Sequence, residues 1–507
     1  MAHDVKIPCA YTDLEQRFAR AQHIDDALEL LEWDHATMMP DGGAPARAQQ
    51  MSTLRLIRHE LMTDPALGEL LQRAQSDIAT LDDWQQANLA AMRRAWVHAA
   101  ALPARLVEAL SHCAAECEMI WRNAREANDF PALAPKLAEL LQLTREAAAA
   151  KAEHLNTTPY DALLDAFDPG MTTGTIDRLF TELESFLPTF LPQVIERQRS
   201  QPKLVMPAGP FPVAAQRALA SRLMTSLGFD FTHGRLDVSH HPFSSGVPGD
   251  VRVTTRYAED EFLQGLMAVL HETGHALYTR GLPPDWQGQP VGEALGMTLH
   301  ESQSLIIEMQ ACRSDAFIRH VTPQLAETFG KAGNGTGAWT TANIKRLFQQ
   351  VKPGLIRVYA DEVTYPLHVI LRYRLERALI AGDLAIAELP GAWNEGMSRL
   401  LGISPPDDAD GCMQDVHWPA GLFGYFPTYT LGALAASQFM AAAQAARPDM
   451  PDAIAKGDFT PLTDWLRANV HRYGSKYGTN ALLEKATGSP LSSDAYIQHL
   501  KRRYLPD

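Results

Sequence analysis

Apolar residues recur along most of this chain at three- and four-residue spacing, the period that turns one face of a helix toward a core. Between Tyr11 and about Asp34 these positions are Leu14, Phe18, Ile24, Leu28 and Leu31, and Pro40-Asp41-Gly42-Gly43 ends the segment with a turn. From Arg47 to Leu155 nearly every window is rich in Ala, Leu, Glu, Gln and Arg and poor in β-branched residues, with breaks at Thr63-Asp64-Pro65, Pro103 and Pro131. That pattern predicts a stack of antiparallel helices. Thr157-Thr158-Pro159-Tyr160 and Asp168-Pro169-Gly170 bracket a short segment, and Ile176–Gln198 and Val213–Leu227 read as further helices. His240-His241-Pro242-Phe243 and Asp250-Val251-Arg252-Val253-Thr254-Thr255 depart from the helical period. They predict a small hairpin or sheet, of the kind whose edge strand can hold an extended peptide. Helical spacing returns from Glu259 to the end, interrupted at Pro283-Pro284, Pro353-Gly354, Pro405-Pro406 and the Pro/Gly/aromatic block Trp418–Tyr429. The expected fold is mostly α.

Charge and cysteine usage narrow the classes of function. The 507 residues carry a formal net charge of −15 with no offsetting basic run, which argues against nucleic acid or an anionic membrane as partner. The start has an early acid, Asp4, and no apolar core, unlike a secretory leader, and the Ala-rich run Leu431–Ala446 is broken by Ser437 and Gln438, so no spanning segment is expected. Five cysteines without a C-x-x-C pair suit reduced thiols in a cytoplasm and argue against thiolate ligation of a metal.

The chemistry centres on Val269-Leu270-His271-Glu272-Thr273-Gly274-His275, an H-E-x-x-H run in a helical segment. On a helix His271 and His275 lie one turn apart on one face, so both imidazoles reach one metal ion, while Glu272 points about 100° round the axis as a general base toward water. A catalytic zinc takes three protein ligands and keeps a place for water. The extended H-E-x-x-H-x-x-G-x-x-H form is absent, because Tyr278 and Gly281 stand at its last two positions. Glu301, in His300-Glu301-Ser302-Gln303, is the better third ligand and Glu293 the second; His300 reads as a hydrogen-bond partner or core residue. Two other classes compete. A second E-x-x-H, Glu32-Trp33-Asp34-His35, admits a di-iron centre in a helical bundle, and a zinc that only stabilises a helical scaffold is the third reading.

Beyond the metal motif, several stretches resemble the carboxypeptidase Taq family (M32) of metallocarboxypeptidases over essentially the whole length. They are Leu31-Glu32-Trp33-Asp34 with Met39-Pro40-Asp41-Gly42-Gly43-Ala44; Tyr160-Asp161-Ala162-Leu163-Leu164 with Pro169-Gly170; His241-Pro242-Phe243; Asp250-Val251-Arg252-Val253-Thr254; His300-Glu301-Ser302-Gln303; Ile356-Arg357-Val358-Tyr359-Ala360-Asp361; and Gly411-Cys412-Met413-Gln414-Asp415-Val416-His417-Trp418. The resemblance implies one large helical domain over 1–507, with a helical cap half at 1–200 and a catalytic half at 201–507. It also implies a deep substrate groove like that of angiotensin-converting enzyme and neurolysin, and a homodimer. The implied activity is release of single C-terminal residues from peptides with broad specificity. His271, His275 and Glu301 would hold the metal, with zinc, cobalt and manganese all open.

Hydrolysis needs donors for the developing oxyanion, and His417 and Tyr425 are the candidates, by similarity to the His-then-Tyr pair of converting-enzyme-like folds, with Tyr429 as substitute. A free substrate carboxylate calls for a guanidinium that binds it with two hydrogen bonds. Arg357, in a segment with helical spacing that also offers it Asp361 at i+4, ranks ahead of Arg252, which could instead meet an acid across a strand. Gln414 is a candidate for the substrate backbone or for a cap. An oligoendopeptidase or dipeptidase would use the same metal site and differ at the end of the groove.

Overall fold

The computed structural model describes residues 9–330 and 337–506. Helices form where the spacing predicts them, and local chemistry sets their ends. The first, α1 (Cys9–Thr37), turns Tyr11, Leu14, Phe18 and Leu28 inward. Between α2 (Ala44–Thr63) and α3 (Pro65–Ser76) a single residue, Asp64, accepts the Ala66 N–H, while Pro65 takes a first helical position that needs no donor. Asp82 and Gln85 cap α4 (Asp83–Ala100) reciprocally. A helical hairpin follows, α5 (Ala104–Ala127) and α6 (Phe130–Leu155), each helix stopped by an asparagine in the left-handed region, Asn128 and Asn156. Thr158 and Thr172 cap α7 (Pro159–Leu164) and α8 (Thr173–Arg199), and α9 (Val213–Ser226) leads to the sheet.

The sheet has three strands, β1 (Gly234–Val238), β2 (Ser244–Val247) and β3 (Asp250–Thr255), in the order β1-β3-β2. β1 runs parallel to β3, with Gly234 opposite Val251, and β2 runs antiparallel to it, with Ser244 opposite Val253. Two expectations change here. Asp250–Thr255 is the central strand, because Val251 and Val253 pack with Leu236, Val269 and Ala276 into one apolar cluster. His240–Phe243 is the link between strands, and the five-residue β1 went unanticipated.

The N-terminal helix closes on this sheet through cations. The Trp33 ring of α1 lies under two guanidinium groups, Arg235 at 4.8 Å and Arg252 at 4.2 Å, and Glu29 accepts the Gly246 N–H of β2 at 2.7 Å.

Beyond the sheet come α10 (Leu263–Gly281) and α11 (Gly296–Leu305), the latter running on into a π turn at Ile306–Ala311. Then follow α12 (Asp315–Phe329), α13 (Thr341–Phe348), α14 (Tyr365–Ala381), α15 (Leu389–Leu401) and α16 (Pro427–Ala446). The chain finishes with α17 (Met450–Ala455), α18 (Thr460–Asn469), α19 (Thr479–Thr487) and α20 (Asp494–Tyr504). The Ala-rich α16 is buried along most of its length and lies along α11, since small side chains let two helices approach closely. Where helical spacing was expected around Arg357, only a single 3-10 turn forms, Arg357–Tyr359. Asp361 is engaged elsewhere, accepting the backbone N–H groups of Lys352, Val363 and Thr364. Among the described residues no helix is long and apolar enough to cross a membrane.

Candidate metal centre

Two helices meet to build the site. α10 carries His271 and His275 one turn apart, and α11 brings Glu301 against them. The approach depends on Gly274: a Cβ there would stand 2.4 Å from the Gln303 carbonyl oxygen and 2.7 Å from Ser304 Cα, so only glycine lets the backbones lie this close. The start of α11 is tied down by the Asp168-Pro169-Gly170 turn. Buried Asp168 accepts the hydroxyls of Thr298 at 2.5 Å and Thr479 at 2.7 Å, and the Met297 N–H reaches the Phe167 carbonyl at 2.6 Å.

The convergence fits a divalent cation. Nε2 of His271 and of His275 lie 3.7 and 3.6 Å from Glu301 Oε2, and all three ligand atoms fall within 4.8 Å of one another. A tetrahedral ion bonded at about 2.1 Å holds its ligands about 3.4 Å apart, and both imidazole–carboxylate separations lie within a few tenths of an ångström of that. Burial and the nearby imidazoles of His300 and His271 push His275 well below the ordinary histidine value, which leaves it neutral and ready to ligate. Burial alone would do the same to His271. Glu301, Glu308 and Glu272 outweigh it and hold that imidazolium up at about 10, a field that favours any cation placed there. Glu272 itself is pushed up to about 7, first by burial and then by Glu301 and Glu308, against the pull of His271.

One member of this group escaped the sequence reading. Glu308, in the π turn, holds His271 Nδ1 at 3.1 Å with one carboxylate oxygen and Arg313 at 2.7 Å with the other. Arg313 and His271 more than offset its burial and keep it down at about 2. Such a carboxylate fixes the tautomer and orientation of a ligating imidazole, so that Nε2 faces the metal. The signal in sequence was an acid seven residues after Glu301, and the π turn that carries Glu308 departs from the α-helical period by which it would have been placed.

The remaining candidates gather on a second wall. His417 Nε2 meets the Tyr429 hydroxyl at 3.1 Å, and the Tyr425 and Tyr429 rings stand 5.2 Å apart. Burial raises both tyrosines above their ordinary value, and the negative charge of Glu301 adds to the effect. His417 is pushed down to about 3, by burial and then by Arg357, and is neutral. Arg357 lies against the Tyr429 ring at 4.7 Å, with Nε and Nη2 directed to Asp415 Oδ1 at 3.2 and 2.9 Å. Asp415 also takes Arg372 at 2.6 Å, and the two guanidinium groups hold its carboxyl far below the usual range despite burial.

Three predicted residues are engaged with the protein itself. Arg252 pairs along its own strand with Asp250 at 2.7 Å and stacks on Trp33, rather than crossing to another strand. Gln414 accepts the Arg357 N–H and Arg372 and donates to the carbonyls of Leu355, Asp410 and Gly411, a brace behind the Arg357 turn. Glu293 is not brought to the imidazoles; burial and the α1 acids Asp26, Glu29 and Asp25 push it up to about 7. The second E-x-x-H does not assemble a centre: Glu32 pairs with Arg55 at 2.6 Å on an exposed face, and the group that can hold a metal among the described residues is His271, His275 and Glu301.

Known proteins resemble this chain over nearly its whole length. The profile of the family described as Carboxypeptidase Taq (M32) metallopeptidase matches residues 13–504. The chain is 39% identical over 509 residues to thermostable carboxypeptidase 1 of Thermus thermophilus, covering 98% of each chain. It is 31% identical over 488 residues to carboxypeptidase 1 of Bacillus subtilis, covering 96% of each. Among solved structures, Trypanosoma cruzi metallocarboxypeptidase 1 superimposes with a TM-score of 0.95 at 42% identity, over 98% of this chain and 99% of that one. The M32 carboxypeptidase of Deinococcus radiodurans gives 0.92 at 35%, again over 98% and 99%.

Proposed function

The chain belongs to the carboxypeptidase Taq (M32) family and is a metal-dependent carboxypeptidase, and from that premise we propose how its residues divide the work. His271, His275 and Glu301 hold the metal. A divalent cation there supplies the Lewis acidity that makes water acidic near neutral pH and polarises the scissile carbonyl. Glu272 takes the proton of the attacking water on a carboxylate oxygen and passes it to the leaving amine nitrogen. The neutral imidazole of His417 and the hydroxyl of Tyr425 donate to the oxygen of the substrate carbonyl as it gains charge, with Tyr429 linking the pair to Arg357. Arg357 receives the substrate's terminal carboxylate. Asp415 and Gln414 fix its guanidinium and backbone, and Arg252 braces the sheet against α1.

The observation that carries this reading is the convergence of His271, His275 and Glu301, with Glu272 beside the two imidazoles on α10. Two imidazoles and a carboxylate suit zinc, with cobalt or manganese accommodated by the same donors. The five unpaired cysteines support a reducing, cytoplasmic setting, and a homodimer is the expected assembly. The test is a peptide followed in time by mass. Acetylating its N-terminus leaves stepwise loss of single residues intact, and amidating its C-terminus abolishes it. Internal fragments, or full activity in Glu272→Gln, overturn the assignment.

A further inference from the structure

Behind the loop that presents His417 and Tyr425 lies a carboxylate with no part in the chemistry so far described. Glu376, on α14, is completely buried. Its Oε1 accepts the Trp418 indole N–H at 2.9 Å, and its Oε2 accepts the Tyr160 hydroxyl at 2.7 Å and the Gly424 N–H at 3.2 Å. Trp418 is the residue after His417, and Gly424 is the residue before Tyr425. Both flanks of the donor loop therefore end on one side chain.

The neighbouring contacts leave the loop little freedom. Gly424 has φ +89°, and a Cβ there would press to 3.0 Å on the Leu163 carbonyl carbon and the Leu164 nitrogen of α7. Trp418 stacks on Phe423 at 6.3 Å and meets Trp393 edge-on at 6.1 Å, while Phe167 meets the Tyr425 ring edge-on at 5.1 Å. Three donors converging on one group demand an acceptor at every position. A carboxylate provides that, whereas an amide would turn an N–H toward at least one of them.

We propose that Glu376 is a positioning residue that sets where His417 and Tyr425 stand relative to the metal-binding triad, by anchoring both flanks of their loop to α14 and α7. The inference rests on the roles given above to His417 and Tyr425. If Glu376 only stabilises the fold, its replacement lowers stability and leaves turnover alone. If it positions the donors, replacement lowers kcat while substrate binding through Arg357 persists.

The experiment compares Glu376→Gln, Trp418→Phe, His417→Ala and Tyr425→Phe with the wild-type metalloenzyme on an N-blocked dipeptide with a free C-terminus. It reads kcat, KM, metal content and circular dichroism. Displacing the donors by about 1 Å is expected to lower kcat of E376Q by about 10²-fold. KM should stay within about twofold and the metal ratio should not change, the pattern of an interaction made only in the transition state. W418F deletes one donor without touching the carboxylate; should E376Q fail to fold, a fall in its kcat at constant KM carries the same test. Wild-type kcat in E376Q and W418F beside a loss in H417A or Y425F overturns the proposal alone. Full activity in both H417A and Y425F overturns the reading of the loop, and the proposal with it.

Discussion

Replacing Gly274 by alanine tests whether helix-to-helix distance sets metal affinity. In an exposed helix interior this change is stabilising by up to about 1 kcal/mol. Here the added Cβ would sit 2.4 Å from the Gln303 oxygen and 2.7 Å from Ser304 Cα, about 1 Å inside ordinary contact. Both obstacles are backbone, so no rotamer change relieves them, and the overpacking cost of about 1–3 kcal/mol exceeds the propensity gain. The net effect on the apoenzyme is a loss of about 1–2 kcal/mol, read from guanidinium unfolding. The larger effect falls on the metal. Gln303 and Ser304 follow Glu301 within one turn of α11, so parting the helices carries Glu301 away from imidazoles that already lie 3.6 and 3.7 Å from its Oε2. Bonds near 2.1 Å cannot stretch to follow, and the dissociation constant should rise about 10- to 100-fold, equivalent to about 1.4–2.8 kcal/mol. Competition with a chromophoric chelator measures it. Wild-type affinity in G274A with unchanged apo stability would refute the argument that this contact sets the ligand spacing.

Glu308→Gln should weaken metal binding about 10- to 100-fold while leaving the ligands intact, measured by the same competition. Asp415→Asn leaves Arg357 and the fully buried Arg372 without their shared anion, and denaturant unfolding should show a loss of about 3–5 kcal/mol. Burial pushes the Glu376 carboxyl from the ordinary 4.5 up to about 7, against the three hydrogen bonds it accepts. The folded state therefore binds the extra proton between those values, so its contribution to stability declines as pH rises from about 4.5 to 7 and is flat above; the total is about 3 kcal/mol. From about pH 4.5 to 7 the unfolding free energy of wild type should fall by about 3 kcal/mol relative to that of E376Q, and parallel curves would contradict it.

Much of the site was legible because its parts are local. An H-E-x-x-H run fixes the relation of His271, Glu272 and His275 by helical geometry alone, and Glu301 lies in the next strongly patterned segment. The breaks at Asp64-Pro65 and Thr158-Pro159 fall where capping chemistry puts them. What could not be read depends on partners distant in sequence. Asp415 gathers Arg357 and Arg372, and Glu376 gathers Tyr160, Trp418 and Gly424; no periodicity encodes those meetings. The turn at Arg357 is 3-10 rather than α, and Asp361, expected beside Arg357 at i+4, is drawn instead to three backbone donors. Glu308 was hidden by an irregularity in the helix that carries it.

That irregularity bears on how this enzyme tolerates change. A π turn holds one residue more than the α-helical path it replaces, so trimming a single residue from Ile306–Ala311 would give a more regular helix and an easier local fold. Because the turn absorbs that residue, removing Ile306 or Ile307 would change the phase of the residues inside it rather than the path beyond it, and Glu308 would turn away from His271 and Arg313. Shortening the chain here, an edit that improves the helix as a helix, is the one that should leave the imidazole unsupported.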